Sequence, residues 1–257
     1  MIQDIFKGIS SYFTAFSTIS EMRLWKYLLI PGLISLLLGG SIFGAAWSLS
    51  GNLGFWLQSW YPWAWGAGAI ASIADWVGMI IILMGGLIIY KHIIMVLVSP
   101  FMSPLSQKVE ENLSGIKTNN PGFQIGEAIK DMLRGLRIAL RNIVRELFFV
   151  LLLILVGFIP VVGWLCSILI FVVQAYYAGF GNMDYTLERH YNVKGSAQFV
   201  RSNRGLAIGN GTIFLLLLMT GVGFLFAPPL ATVAATLETT KRLNQSGAYD
   251  KLESGYV

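Results

Sequence analysis

Charge is what this chain has little of. Charged residues make up 12% of its 257 residues against 55% hydrophobic ones, and the mean hydropathy is +0.66. A soluble domain carries roughly 25% charged residues, so a water-facing shell around a core of this size is excluded. The scarcity is also patterned. No charge occurs between Lys26 and Asp75, from Leu147 to Met183, or from Gly205 to Leu237, and the shorter stretch Trp76 to Tyr90 is equally bare. Hydrocarbon penalises a charge by several kcal/mol, so such gaps mark where lipid lies. The composition predicts an integral membrane protein.

Other absences narrow the chemistry. One cysteine, Cys166, excludes an intramolecular disulfide. The two histidines, His92 and His190, lack Cys or carboxylate partners at metal-ligand spacing, so no metal and no cofactor is expected. No Ser-His-Asp or paired-carboxylate arrangement is placed for covalent chemistry, and no enzyme is expected. A net charge of +5 and a pI near 9.3 would suggest nucleic acid in a soluble protein. No basic-aromatic module accompanies them, so nucleic acid is not an expected partner. The bias of cytoplasmic loops toward Lys and Arg accounts for the excess. Asp4 and Lys7 interrupt the N-terminal stretch, so no signal peptide is expected there.

What is present reads as one all-α membrane domain over 1–257. Ile2, Ile5, Phe6, Ile9, Tyr12, Phe13, Phe16 and Ile19 recur at steps of three and four, the apolar face of a helix over 1–20. This helix lies in the membrane interface or packs on the rest of the protein. Long transmembrane helices are expected over 27–49 and 69–98, with Pro31 in the first turns of one and Gly85-Gly86 offering close approach in the other. Between them, Ser50 to Gly68 holds Trp56, Trp60, Trp63 and Trp65, an outer interfacial segment. Basic cytoplasmic helices follow over 99–146, one starting at Ser99-Pro100, a loop at Asn119-Asn120-Pro121-Gly122, and another from about Gln124.

The apolar stretches over 147–183 and 205–240 are broken at Ile159–Gly163 and at Ala227-Pro228-Pro229. Two crossings and a turn need more than ~40 residues, and each stretch has an arm too short to cross. They read as two helical hairpins that dip into the bilayer and return, with a polar tail over 243–257. A path in which both hairpins cross fully gives the same sidedness. Either way every Lys and Arg, and both termini, fall on the cytoplasmic face.

Candidate anion ligands follow from the cations. Arg23 and Lys26 flank the start of the first span, where free amides and the helix dipole favour an anion; anchoring at lipid headgroups is the alternative. Arg134, Arg137 and Arg141 share one helix face beside Lys130 and Arg145, a stripe that suits an anion vestibule or anionic lipid. Arg204 precedes Gly205 to Gly211, whose amides could add donors. Asp184, Glu188 and His190 suit proton relay or helix capping.

Several strings resemble the CysZ family of bacterial sulfate permeases and its etoposide-induced membrane-protein relatives. Arg23 and Lys26 before Leu29-Ile30-Pro31-Gly32-Leu33 resemble the family's Gly-hydrophobe-Arg-Arg entry to its first long helix. Ser99-Pro100-Phe101 with Leu105, Val109, Glu110, Leu113 and Gly115 resembles its Ala-Pro-Phe motif and following amphipathic helix. Phe158-Ile159-Pro160-Val161-Val162-Gly163 resembles its hairpin tip, and Met183-Asp184-Tyr185 with His190 its Asp-Tyr-Pro…His segment. The resemblance implies two long helices plus two hemi-penetrating hairpins in a homo-oligomer of the bacterial inner membrane. It also implies sulfate uptake, passive or proton-dependent, feeding cysteine synthesis, with sulfate held near the Arg-Arg entry. Here that entry reads Trp25-Lys26, with Arg23 at the Gly position, and no proline follows Asp184-Tyr185. A bilayer-shaping scaffold without transport is the competing function.

Overall fold

A computed structural model describes residues 1–59, 67–116, 125–157, 159, 162–220 and 223–246. They form eight α-helices: α1 (Ile2–Glu21), α2 (Lys26–Ser59), α3 (Ala67–Ser114), α4 (Ile125–Gly157), α5 (Gly163–Leu187), α6 (Val193–Ser202), α7 (Arg204–Met219) and α8 (Ala227–Gln245). A single 3-10 turn, Gly223–Leu225, precedes α8, and no strand occurs among the described residues. Two helical segments there are long and apolar enough to cross a membrane, Lys26–Ala45 of α2 and the whole of α5. The expected Trp60, Trp63 and Trp65 segment and the Asn119–Gly122 loop lie outside the described residues.

Small residues decide how the helices meet. On α7, Gly205 and Gly209 face α1, and Ala207 and Gly211 face α5. A Cβ on Gly211 would overlap the Ala175 carbonyl oxygen, and one on Gly179 would overlap that of Ala207, so α5 and α7 touch backbone to backbone. On the other side, a Cβ on Gly8 would come within 2.7 Å of the Leu206 carbonyl oxygen. α1 therefore packs on α7 and α8 through Gly8, Ser11, Tyr12, Ala15 and Ile19. Tyr12 donates to the Asn210 carbonyl at 2.8 Å, and Asp4 pairs with Arg242 of α8. The aromatic face is left outside, with Phe13 81% exposed beside Phe6 and Phe16. Gly86 plays the approach role expected of Gly85-Gly86, since its Cβ would lie 2.5 Å from Ile42 of α2.

Four expected boundaries differ. The first long helix continues past Leu49 to Ser59. No helix starts at Ser99-Pro100, because α3 runs through Pro100 and Pro104. Pro100 has no N–H for the Val96 carbonyl, and Ser99 Oγ donates to that oxygen instead at 2.8 Å, which lets the helix continue. α4 also runs unbroken through Glu146-Leu147, because a change from basic to apolar composition is no helix breaker. α4 is followed by α5, 25 residues long, which has the length that a fully crossing arm requires. In the second hairpin the break precedes Ala227. Pro228 and Pro229 occupy the first turn of α8, where amides have no helical partner, so they start a helix of 19 residues rather than interrupt one.

Arg23 joins α1 to α2 with φ 52°, the left-handed region that favours glycine. That geometry explains why glycine suits this position in the resembling motif. Arg23→Gly relieves a left-handed penalty of about 1–2 kcal/mol against an entropy cost of about 0.5–1 kcal/mol, so it is expected to raise stability by about 0.5–1 kcal/mol, whereas Gly211→Ala should lower it by about 1–3 kcal/mol; denaturation of detergent-purified protein measures both.

Candidate functional site

Half-buried and buried charges gather where α3, α4, α5 and α6 meet. Arg134 of α4 grips Asp184 of α5 with Nε and Nη2 at 3.2 and 3.1 Å, and Nη2 also donates to Ser196 Oγ of α6 at 2.9 Å. Arg189 donates to Glu110 of α3 at 2.7 and 2.5 Å, to Ser106 Oγ at 2.7 Å and to the Tyr185 carbonyl at 2.7 Å. His190 Nε2 lies 2.5 Å from the other oxygen of Glu110. Beneath them, Ser106, Thr186 and Thr236 link α3, α5 and α8 through hydroxyl contacts of 3.0–3.2 Å. These bonds fix α5 against its neighbours and satisfy the polar groups they bury.

A cleft of about 980 Å³ opens over this framework. Its lining includes Lys130, Arg134 and Arg137 from α4, Arg189 after α5, and Lys194 from α6, with Glu188 as the acidic member. Arg134 and Arg189 are committed to carboxylates. Lys130, Arg137 and Lys194 are exposed and have no ion-pair partner among the described residues. The cleft therefore carries unbalanced positive charge and has room for a hydrated anion, which suits it to collecting anions.

The expected site residues separate into three places. Arg134 and Arg137 reach the cleft, Arg134 as a paired wall and Arg137 as an open charge. Arg141 turns inward, its guanidinium 4.7 Å from the centroid of the Phe180 ring, and Arg204 Nε donates to the Arg201 carbonyl at 2.9 Å. Gly205, Gly209 and Gly211 are buried in helix contacts, so the exposed amide cradle expected after Arg204 does not form. Arg23 and Lys26 sit apart at the α1–α2 junction. Lys26 and Lys108 stand 5.7 and 5.3 Å from the Tyr27 ring centroid, a cation–aromatic arrangement that joins the start of α2 to α3. Asp184 and His190, weighed together for proton relay, belong to separate ion-pair clusters.

Residue-by-residue reading missed two features. Lys194 lies on a helix whose start is marked by Asn192, which accepts from the Gly195 amide at 2.9 Å, but nothing in the chain places that helix beside α4. The second is a buried cluster: Lys91 and His92 of α3 share the carboxylate of Glu146 on α4, His92 at 2.9 Å, with Lys91 and Glu146 fully buried. Glu146 compensates the Lys91 charge inside the helix contact.

The model of the family described as "Sulfate transporter CysZ/Etoposide-induced protein 2.4" matches residues 11–229. The chain belongs to this family. A CysZ sulfate transporter of Vibrio atlanticus is 29% identical over 173 residues, covering 64% of each chain. One of Vibrio parahaemolyticus is 24% identical over 220 residues, covering 82% of this chain and 85% of that one. The family match spans α2 to α7, and with them every residue of the cationic cleft.

Breaking the Lys91–Glu146 pair by Lys91→Ala should cost about 3–5 kcal/mol, because a buried carboxylate loses its main counter-charge. Lys91→Met with Glu146→Leu should recover most of that loss. Denaturant midpoints of the purified variants measure the difference.

Proposed function

We propose that this protein is a membrane permease or channel for an inorganic oxyanion, with sulfate as the anion. The observation that carries this reading is the cleft in which Lys130, Arg137 and Lys194 are exposed with no ion-pair partner among the described residues. Membership of the sulfate transporter family supports the choice of anion. The cleft serves as a cytoplasmic vestibule, and the lipid-embedded helices carry the path across.

In this reading the chain is a multi-pass protein of the bacterial inner membrane, working as a homo-oligomer with both termini in the cytoplasm. α1 rests in the interface with Phe6, Phe13 and Phe16 toward lipid. The α4–α5 and α7–α8 hairpins enter the bilayer from the cytoplasmic side; α7, at 16 residues, is shorter than the ~20 that a crossing helix needs. Arg23 and Lys26 form an entry site for the anion at the first long helix.

Proteoliposomes containing the protein should take up radiolabelled sulfate faster than empty vesicles. Replacing Lys130, Arg137 and Lys194 by Ala should reduce uptake about fivefold or more at low ionic strength, with the difference shrinking as salt screens the cleft. Uptake no faster than in empty vesicles would replace this reading by the non-transporting, bilayer-shaping one.

A further inference from the structure

A second group of cations lies beyond the cleft and is built from four helices. Arg141 and Arg145 stand one turn apart on α4, Arg201 ends α6, and Arg204 opens α7 with its Nε bonded to the Arg201 carbonyl. α5 supplies the floor: the Tyr176 and Tyr177 rings lie 5.1 Å apart at 75°, and Phe180, one turn on, carries the Arg141 guanidinium. Ile138, Phe180, Val200 and Leu206 form one apolar cluster beneath, with Tyr176 and Phe199 packed against it, which draws the four helices together. All four arginines lie within electrostatic reach of Tyr176.

The acids in reach are already engaged, Asp184 by Arg134 and Glu146 by Lys91 and His92. Arg145, Arg201 and Arg204 are exposed with no ion-pair partner among the described residues, and Arg141 Nε is buried without a hydrogen-bond acceptor. Four like charges assembled by packing, with an orphaned donor among them, suit an external anion of more than one oxygen.

The surroundings decide which anion. α5 is one of the helices able to cross a membrane, and its tyrosine pair sits in the half that leads to Asp184, as headgroup-level aromatics do. Beyond Arg145, α4 exposes Phe148, Leu152 and Leu155, and α5 exposes Ile168 and Leu169. From Arg145 to Leu155 a helix rises about 15 Å, the depth of one leaflet in a hydrocarbon core of about 30 Å. A cationic group at the head of an apolar wall of that height matches a phospholipid end to end. We propose that Arg141, Arg145, Arg201 and Arg204 bind the phosphate headgroup of an anionic phospholipid whose acyl chains lie along α4 and α5.

The test uses full-length protein in a zwitterionic detergent, titrated with phosphatidylglycerol and read by native mass spectrometry and thermal stability. Retained phosphatidylglycerol, with phosphatidylcholine lost, is expected. Arg145→Gln with Arg201→Gln removes two exposed charges and should weaken retention about 30-fold, at about 1 kcal/mol per cation; the paired change to Lys should restore most of it. Lys130→Gln with Lys194→Gln removes equal charge from the cleft and should leave retention unchanged. Equal loss in both double variants, or no loss in the arginine pair, would overturn the proposal. Inorganic phosphate protecting as well as the lipid would also overturn it, by showing a free-oxyanion site. None of these readouts depends on sulfate uptake, so the two proposals stand or fall separately.

Discussion

Backbone contact between α5 and α7 is the constraint on which the rest of the structure depends. Gly179 and Gly211 leave no room for even a methyl group, so the two helices meet where the carbonyls of Ala175 and Ala207 begin. In a bilayer the apolar side chains gain little by leaving lipid for protein, and close van der Waals contact takes over as the attraction between helices. Because α7 offers a second small-residue stripe to α1, it becomes the shared axis of the N-terminal helix and the first hairpin. Asn210 lies between those stripes, and its side chain ties Asn182 of α5 and the Ala231 carbonyl of α8 at 2.8 and 3.0 Å.

That packing also sorts the charges. Cations that the helices bring against acids become structural: Arg134 with Asp184, Arg189 with Glu110, Lys91 with Glu146. Cations left without acids include those of the α4–α6 cleft, those of the arginine group over Tyr176, and Arg23, Lys26 and Lys108 near Tyr27. The separation has a physical basis in cost, since a buried charge is tolerated only with its partner and an exposed one needs none. Surplus positive charge thus survives only where solvent, lipid heads or a mobile anion can reach it.

Much of the architecture was legible in the chain. The charge-free segments located α2 and α5, the amphipathic period located α1, and the break expected at Ile159–Gly163 falls between the end of α4 at Gly157 and the start of α5 at Gly163. Pro100 and Pro228-Pro229 misled for opposite reasons. Ser99 repaired the first, so a breaker became interior, and helix-start geometry absorbed the others, so an interruption became a beginning. The single-face stripe of α4 was correctly periodic, yet one helix face is wide enough that Arg137 opens to the cleft while Arg141 turns over Phe180. Arg204 was singled out for its glycines, and those glycines serve helix contact instead.

By itself the sequence determined the solvent of this protein and the kind of element it is built from, because hydrophobic runs and helical periodicity are local and additive along the chain. It also carried the family, through short motifs in order. Which charges are neutralised was decided only by tertiary structure. Pairing depends on distances between residues far apart in the chain, and those distances are set by where glycine lets two helices touch.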